Sequence, residues 1–168
     1  MQIRITKGRS DDHIAIRRDD GSEVVTRFPK KGPIPHDAVH LAVERTLGLD
    51  DGFWGKVAQG HHPEAIADMA KAAGHASASR GVTPDAGFVQ ALQAERAVEA
   101  FEADHWSGGT GDPEGIRFMT HSGCEQSHVP PLAMDDAAVE AIRADIAGFA
   151  GRWAALGEGE TIEVDWPE

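Results

Sequence analysis

The chain has 168 residues, of which 40% are hydrophobic and 26% are charged, and this composition predicts one globular domain, residues 1–168, with a sizeable core. Its 28 acidic residues outnumber its 16 basic residues and give a formal net charge of -12. Because nucleic acids and anionic membrane surfaces are bound mainly through Lys and Arg, this charge disfavours both as partners.

Cysteine usage and hydropathy bear on the compartment. Cys124 is the single cysteine, which rules out an internal disulfide and is typical of a reducing compartment. No apolar run reaches the roughly 18 residues of a membrane helix, and the first residues start no secretory signal. We therefore expect a cytoplasmic protein.

Both ends of the chain alternate polar and apolar residues, as half-buried strands do. The turn Asp19–Ser22, with Gly21 available for a positive φ, predicts that the second and third stretches form a hairpin. The predicted strands are Gln2–Thr6, His13–Arg17, Glu23–Phe28 and Thr161–Trp166.

The middle of the chain repeats its apolar residues at helical spacing instead. Four helices are predicted, starting near Pro35, Pro63, Pro84 and Asp135. Phe53 and Trp54 are expected to form a short turn that plugs the core. The predicted fold class is therefore α+β: a small antiparallel sheet of the three N-terminal strands plus the C-terminal strand, packed against about four helices.

Residues 105–133 carry many glycines and prolines. They are predicted to be the most irregular part of the chain, with one short strand at Ile116–Met119. Trp106, Trp153 and Trp166 are expected in the core or at its edge.

The first helix carries the strongest candidate site. His36, His40 and Glu44 are spaced four residues apart and line one stripe of a helix. Two imidazoles one turn apart can chelate a metal, and a carboxylate one turn further on can bind the ion or orient a ring. The pattern predicts a divalent metal site, for example for zinc, at these three residues.

A purely structural interpretation competes with this one. Asp37 stands where a zinc protease has Glu, and its side chain is one methylene too short for the same role as base. Asp37 would then favour the positive end of the helix dipole, and His40 would be a half-buried histidine bonded to Glu44.

The stretch His121–His128 offers a second candidate. Its two histidines and Cys124 could complete a metal site or provide a thiol next to a base, or Cys124 could simply be a loop thiol.

The N-terminal block Ile34-Pro35-His36-Asp37-x-x-His40-x-x-Val43-Glu44, followed by Gly52-Phe53-Trp54-Gly55, resembles a group of uncharacterised bacterial proteins. The ending Arg152-Trp153-Ala154-Ala155-Leu156-x-x-Gly159-x-Thr161-Ile162-x-Val164-x-Trp166 is similar to the C-terminal signature of the same group. The resemblance covers about a third of the chain and implies an α+β module with both signatures in one domain. It implies no activity.

Two functions remain open at this point. The first is a non-catalytic module that binds a protein partner or associates with itself. The alternative is a divalent-metal-dependent, hydrolase-like enzyme with its site on the helix of His36, His40 and Glu44.

Overall fold

The computed structural model describes residues 1–30, 32–72 and 84–167. Within these ranges the chain forms one sheet of four strands and six α-helices, with a short 3-10 turn at Ala86–Phe88. The strands are β1 (Gln2–Thr6), β2 (Asp11–Arg17), β3 (Glu23–Pro29) and β4 (Thr161–Asp165). The helices are α1 (His36–Leu47), α2 (Phe53–Ala58), α3 (Pro63–Ala72), α4 (Val89–Trp106), α5 (Pro113–Gln126) and α6 (Asp136–Ala155). The predicted α+β class is confirmed.

The sheet is antiparallel throughout, in the order β3-β2-β1-β4. Ile3 pairs with Ile16 of β2 and with Val164 of β4, so alternate residues of neighbouring strands share one face. That face is buried, while Arg4 and Arg17 point to solvent from the other face. The alternation in the sequence therefore sets the register, because a slip by one residue would expose every isoleucine.

One continuous core joins the inner face of the sheet to α1, α2, α4 and α6. α1 contributes Val39 and Val43, and Trp54 of α2 is fully buried. α1 ends at Gly48, which has a φ of 63°, and the amide of Leu49 donates to the carbonyl of Glu44. α1 packs against both α4 and α6. This arrangement brings the polar stripe of α1 next to α4.

The prediction for residues 105–133 was wrong in its main point. Residues Pro113–Gln126 form helix α5, so the predicted strand Ile116–Met119 does not exist, and α5 packs mainly against α4. The Asp112 side chain accepts from the amide of Glu114 and caps the helix, with Pro113 at its first position. Two glycines inside a helix are unfavourable, but Gly123 lets the side chain of Arg96 approach α5 closely.

Two tryptophans confirm their predicted place and one does not. Trp153 and Trp166 are buried, whereas Trp106 is 57% exposed. Trp106 is the last residue of α4, where the helix has already passed the edge of the core. Among the described residues, none of the helices combines the length and apolar character that crossing a bilayer requires.

Candidate metal centre

α1 and α4 together position a cluster of two histidines and three glutamates. His36, His40 and Glu44 follow one stripe of α1, as their spacing predicts. Glu95 and Glu102 lie two helical turns apart on α4 and therefore share the face that meets α1. All five side chains contact at least one other member of the cluster.

Three atoms of this cluster converge on one point. The Nε2 atoms of His36 and His40 lie 3.2 Å apart. The Oε2 atom of Glu95 lies 3.0 Å from Nε2 of His40 and 3.5 Å from Nε2 of His36. Ligand atoms bound to one tetrahedral zinc ion lie about 3.3 Å apart, since each zinc–ligand bond is about 2.0–2.1 Å long. The triangle therefore has the dimensions of a metal-ligand set.

The far nitrogen of each ring is held by a different carboxylate. Nδ1 of His36 donates to Glu102 over 2.9 Å, and Nδ1 of His40 donates to Glu44 over 2.8 Å. In a neutral imidazole only one nitrogen carries a proton, so these bonds leave the lone pairs of both Nε2 atoms facing the centre of the triangle. Metal-binding histidines are commonly oriented by a carboxylate in this way.

Burial differs across the cluster. The side chain of Glu44 is fully buried and that of His40 is 8% exposed, whereas His36 is 28% exposed. The ring of Phe53 lies 5.9 Å from that of His40 at an interplanar angle of 51°. The centre is therefore closed toward the core and accessible to solvent on the side of His36.

The carboxylates also change the acidity of the two rings. Burial alone would lower the pKa of His36, but hydrogen bonds to Glu102 and Glu95 outweigh it and raise the pKa to about 9. Burial likewise opposes protonation of His40, and bonds to Glu44 and Glu95 raise its pKa to about 10. The metal-free centre therefore attracts positive charge strongly.

The negative charge of the centre can be reduced in two ways. Three carboxylates face two rings, and either two protons or one divalent cation supplies two positive charges, which leaves one negative charge on the cluster. With protons on both Nε2 atoms, the two N–H groups can both donate to Oε2 of Glu95, which lies 3.5 Å from His36 and 3.0 Å from His40. A metal ion at the same point would instead be bound by both lone pairs and by Glu95.

The three residues predicted from the sequence as metal ligands have different roles in the structure. His36 and His40 belong to the converging set, while both oxygens of Glu44 accept hydrogen bonds behind His40. The hydrogen bond predicted between His40 and Glu44 is present. The carbonyl of Asp37 accepts from the indole of Trp54, and Asp37 is the acidic residue in the first turn of α1.

Glu95 and Glu102 are the cluster residues that sequence reasoning missed. Their seven-residue spacing indicates one helical face, but α4 carries further acidic residues at other spacings. Only the packing of α4 on α1 distinguishes these two glutamates from the others.

The second candidate, His121–His128, lies elsewhere. His121 bonds to the carbonyl of Leu132, and Cys124 is buried in a small cluster with Leu92 and Val129. Burial raises the pKa of the Cys124 thiol, which disfavours the reactive thiolate. Within the described part of the chain, the group that could hold a metal is His36, His40 and Glu95.

A cleft of about 530 Å³ lies between α4 and α6 and does not include the histidine cluster. Arg143 crosses it and binds both oxygens of Asp104 and the carbonyl of Gly111. These bonds fix the α4–α5 connection, so the guanidinium is occupied by structural partners.

No family model, no curated protein and no solved structure matches this chain. The geometry of the cluster is therefore the basis on which we infer a function.

Proposed function

We propose that the protein binds one divalent transition-metal ion, with zinc the preferred ion, through Nε2 of His36, Nε2 of His40 and a carboxylate oxygen of Glu95. The observation that carries this proposal is the triangle of ligand atoms with edges of 3.0, 3.2 and 3.5 Å. The carboxylates of Glu44 and Glu102 support it because they direct both lone pairs toward the same point. Two imidazoles and a carboxylate suit zinc better than calcium or magnesium, which prefer oxygen ligands.

Three protein ligands leave at least one coordination position open, as in catalytic rather than structural zinc sites. The partly exposed edge at His36 supports access of a small molecule to that position. A zinc ion in such a site supplies Lewis acidity and lowers the pKa of bound water. The form of this function we favour is therefore a metal-dependent, hydrolase-like enzyme.

Variants at the centre test metal binding. In His40→Ala and Glu95→Gln we expect zinc affinity, measured by competition with a chromophoric chelator, to fall at least about a hundredfold. His13→Ala and Glu125→Gln are matched controls, because both residues are exposed and distant in sequence from the cluster. Failure of the wild type to bind zinc, manganese or nickel at micromolar concentration at pH 8 would refute the proposal.

A non-catalytic module is the second candidate, and the raised pKa values of His36 and His40 favour it. In that case the rings remain protonated and the cluster acts as a buried ionic network that joins α1 to α4. Removing one partner of such a network is strongly destabilising. His40→Ala would then lower the stability of the chelator-treated protein severely, while added zinc would leave the wild-type melting temperature unchanged.

A further inference from the structure

Glu44 is shared between the metal centre and the start of α2. Its side chain is fully buried. Oε1 accepts from Nδ1 of His40 over 2.8 Å and from the amide of Phe53 over 3.0 Å. Oε2 accepts from the amide of Trp54 over 2.8 Å. One carboxylate thus orients a proposed metal ligand and binds two amides of another helix.

α2 depends on this carboxylate for its N-terminal cap. The helix has only six residues, its N-cap Gly52 offers no side chain, and its first turn contains no acidic residue. Short helices are marginal by themselves, and their first amides need an acceptor. Glu44 supplies both the acceptor and the negative charge that a helix N-terminus favours.

Gly52 is the residue that makes room for this arrangement. A Cβ atom at position 52 would lie 2.5 Å from Oε2 of Glu44 and 2.6 Å from its carboxyl carbon. The φ of Gly52 is -74°, which any residue can adopt, so the need for glycine here is steric. A methyl group at this position would displace the Glu44 carboxylate.

We propose that Glu44 is a positioning residue that couples metal occupancy to the order of the first turn of α2. The proposal rests on the metal site proposed above. A metal ion on Nε2 fixes the ring of His40, the ring fixes Glu44, and Glu44 holds the amides of Phe53 and Trp54. Coupling between two equilibria is reciprocal, so whatever displaces Glu44 from α2 also weakens metal binding.

The first test is amide hydrogen exchange of the wild-type protein with and without saturating zinc. Exchange at Phe53 and Trp54 is expected to slow at least tenfold when zinc is present. The amide of Ala138 is the internal control, because it donates to the Asp135 carboxylate at the start of α6 and has no link to a histidine. A capping role alone would leave exchange at Phe53 and Trp54 independent of zinc.

The second test is zinc affinity in Gly52→Ala and Glu44→Gln, each expected to lose between about tenfold and a hundredfold. Gly87→Ala is the matched control, since a Cβ there meets none of the described residues within 4 Å. The coupling alone is overturned if the wild type binds zinc, the zinc affinities of both variants lie within twofold of the wild-type value, and zinc leaves exchange at Phe53 and Trp54 unchanged. Absence of zinc binding by the wild type overturns the proposed function and the coupling with it.

Discussion

The pH dependence of zinc affinity gives a quantitative test of the centre. In the metal-free protein the pKa of His36 is about 9 and that of His40 about 10. Both rings are therefore protonated at neutral pH. A histidine binds a metal only in its neutral form, so zinc must displace two protons.

The size of the effect follows from that proton count. Each displaced proton makes the apparent affinity rise about tenfold per pH unit as long as the pH stays below the pKa. Two protons give about a hundredfold per unit, or roughly ten-thousandfold between pH 6 and pH 8. An ordinary solvent-exposed histidine, with a pKa near 6.5, would contribute almost nothing above pH 7.

The assay is competition with a chromophoric chelator at intervals of half a pH unit from pH 6 to pH 8, corrected for the protonation of the chelator. His13→Ala is expected to give the wild-type slope, because His13 is exposed on the outer face of the sheet. A change smaller than tenfold per pH unit in the wild type would refute the reasoning. It would mean that zinc binds without displacing the protons of the two rings.

Stability offers two further tests. Because the pKa values of His36 and His40 are raised above the unfolded value of about 6.5, their contribution is complete below pH 6.5 and lost as the pH rises through about 9 to 10. Urea denaturation with a chelator should therefore show lower stability at pH 9.5 than at pH 6.5, and a flat profile would contradict the raised pKa values. Asp112→Ala removes the cap of α5 and should cost about 1 kcal/mol in the same assay, whereas Asp112→Asn should cost much less because Asn is an equally good cap.

The sequence predicts the sheet well because its signal is local. Strict alternation in Gln2–Thr6 and Thr161–Trp166 identifies one apolar face on each strand. Because the apolar faces of both strands must be buried on the same side of the sheet, few registers of pairing between the two strands are possible. α1 is equally clear, since its apolar stripe ends at Gly48 and the glycine adopts the expected left-handed conformation.

α5 was missed because glycine and proline were given too much weight. Asp112-Pro113 is a start signal for a helix, and the buried residues Ile116, Thr120 and Cys124 recur every four positions. The glycines lower the helix propensity of this segment, but the packing of α5 against α4 stabilises the helix by more than the glycines destabilise it. Gly123 in particular is compatible with a helix because Arg96 occupies the space that a side chain would fill.

The candidate centre was predictable only for the half that lies on α1. The spacing of His36 and His40 shows that the two rings share a stripe, and nothing in the sequence shows that Glu95 lies opposite them. That contact depends on the packing of two helices and joins residues 55 positions apart in the chain. The role of Glu44 was inaccessible for the same reason, because its second partner is the backbone of α2.

Two parts of the chain, residues 34–44 and residues 52–55, depend on each other in the structure. Glu44, from the first part, needs the amides of Phe53 and Trp54 as donors, and those amides need an acceptor that α2 itself does not contain. Gly52 must be small for the carboxylate to reach them. The indole of Trp54 then donates back to the carbonyl of Asp37 and ties α2 to the first turn of α1. Each of these contacts satisfies a need created by another, so we expect this junction to persist whichever ion or charge the two histidines bind.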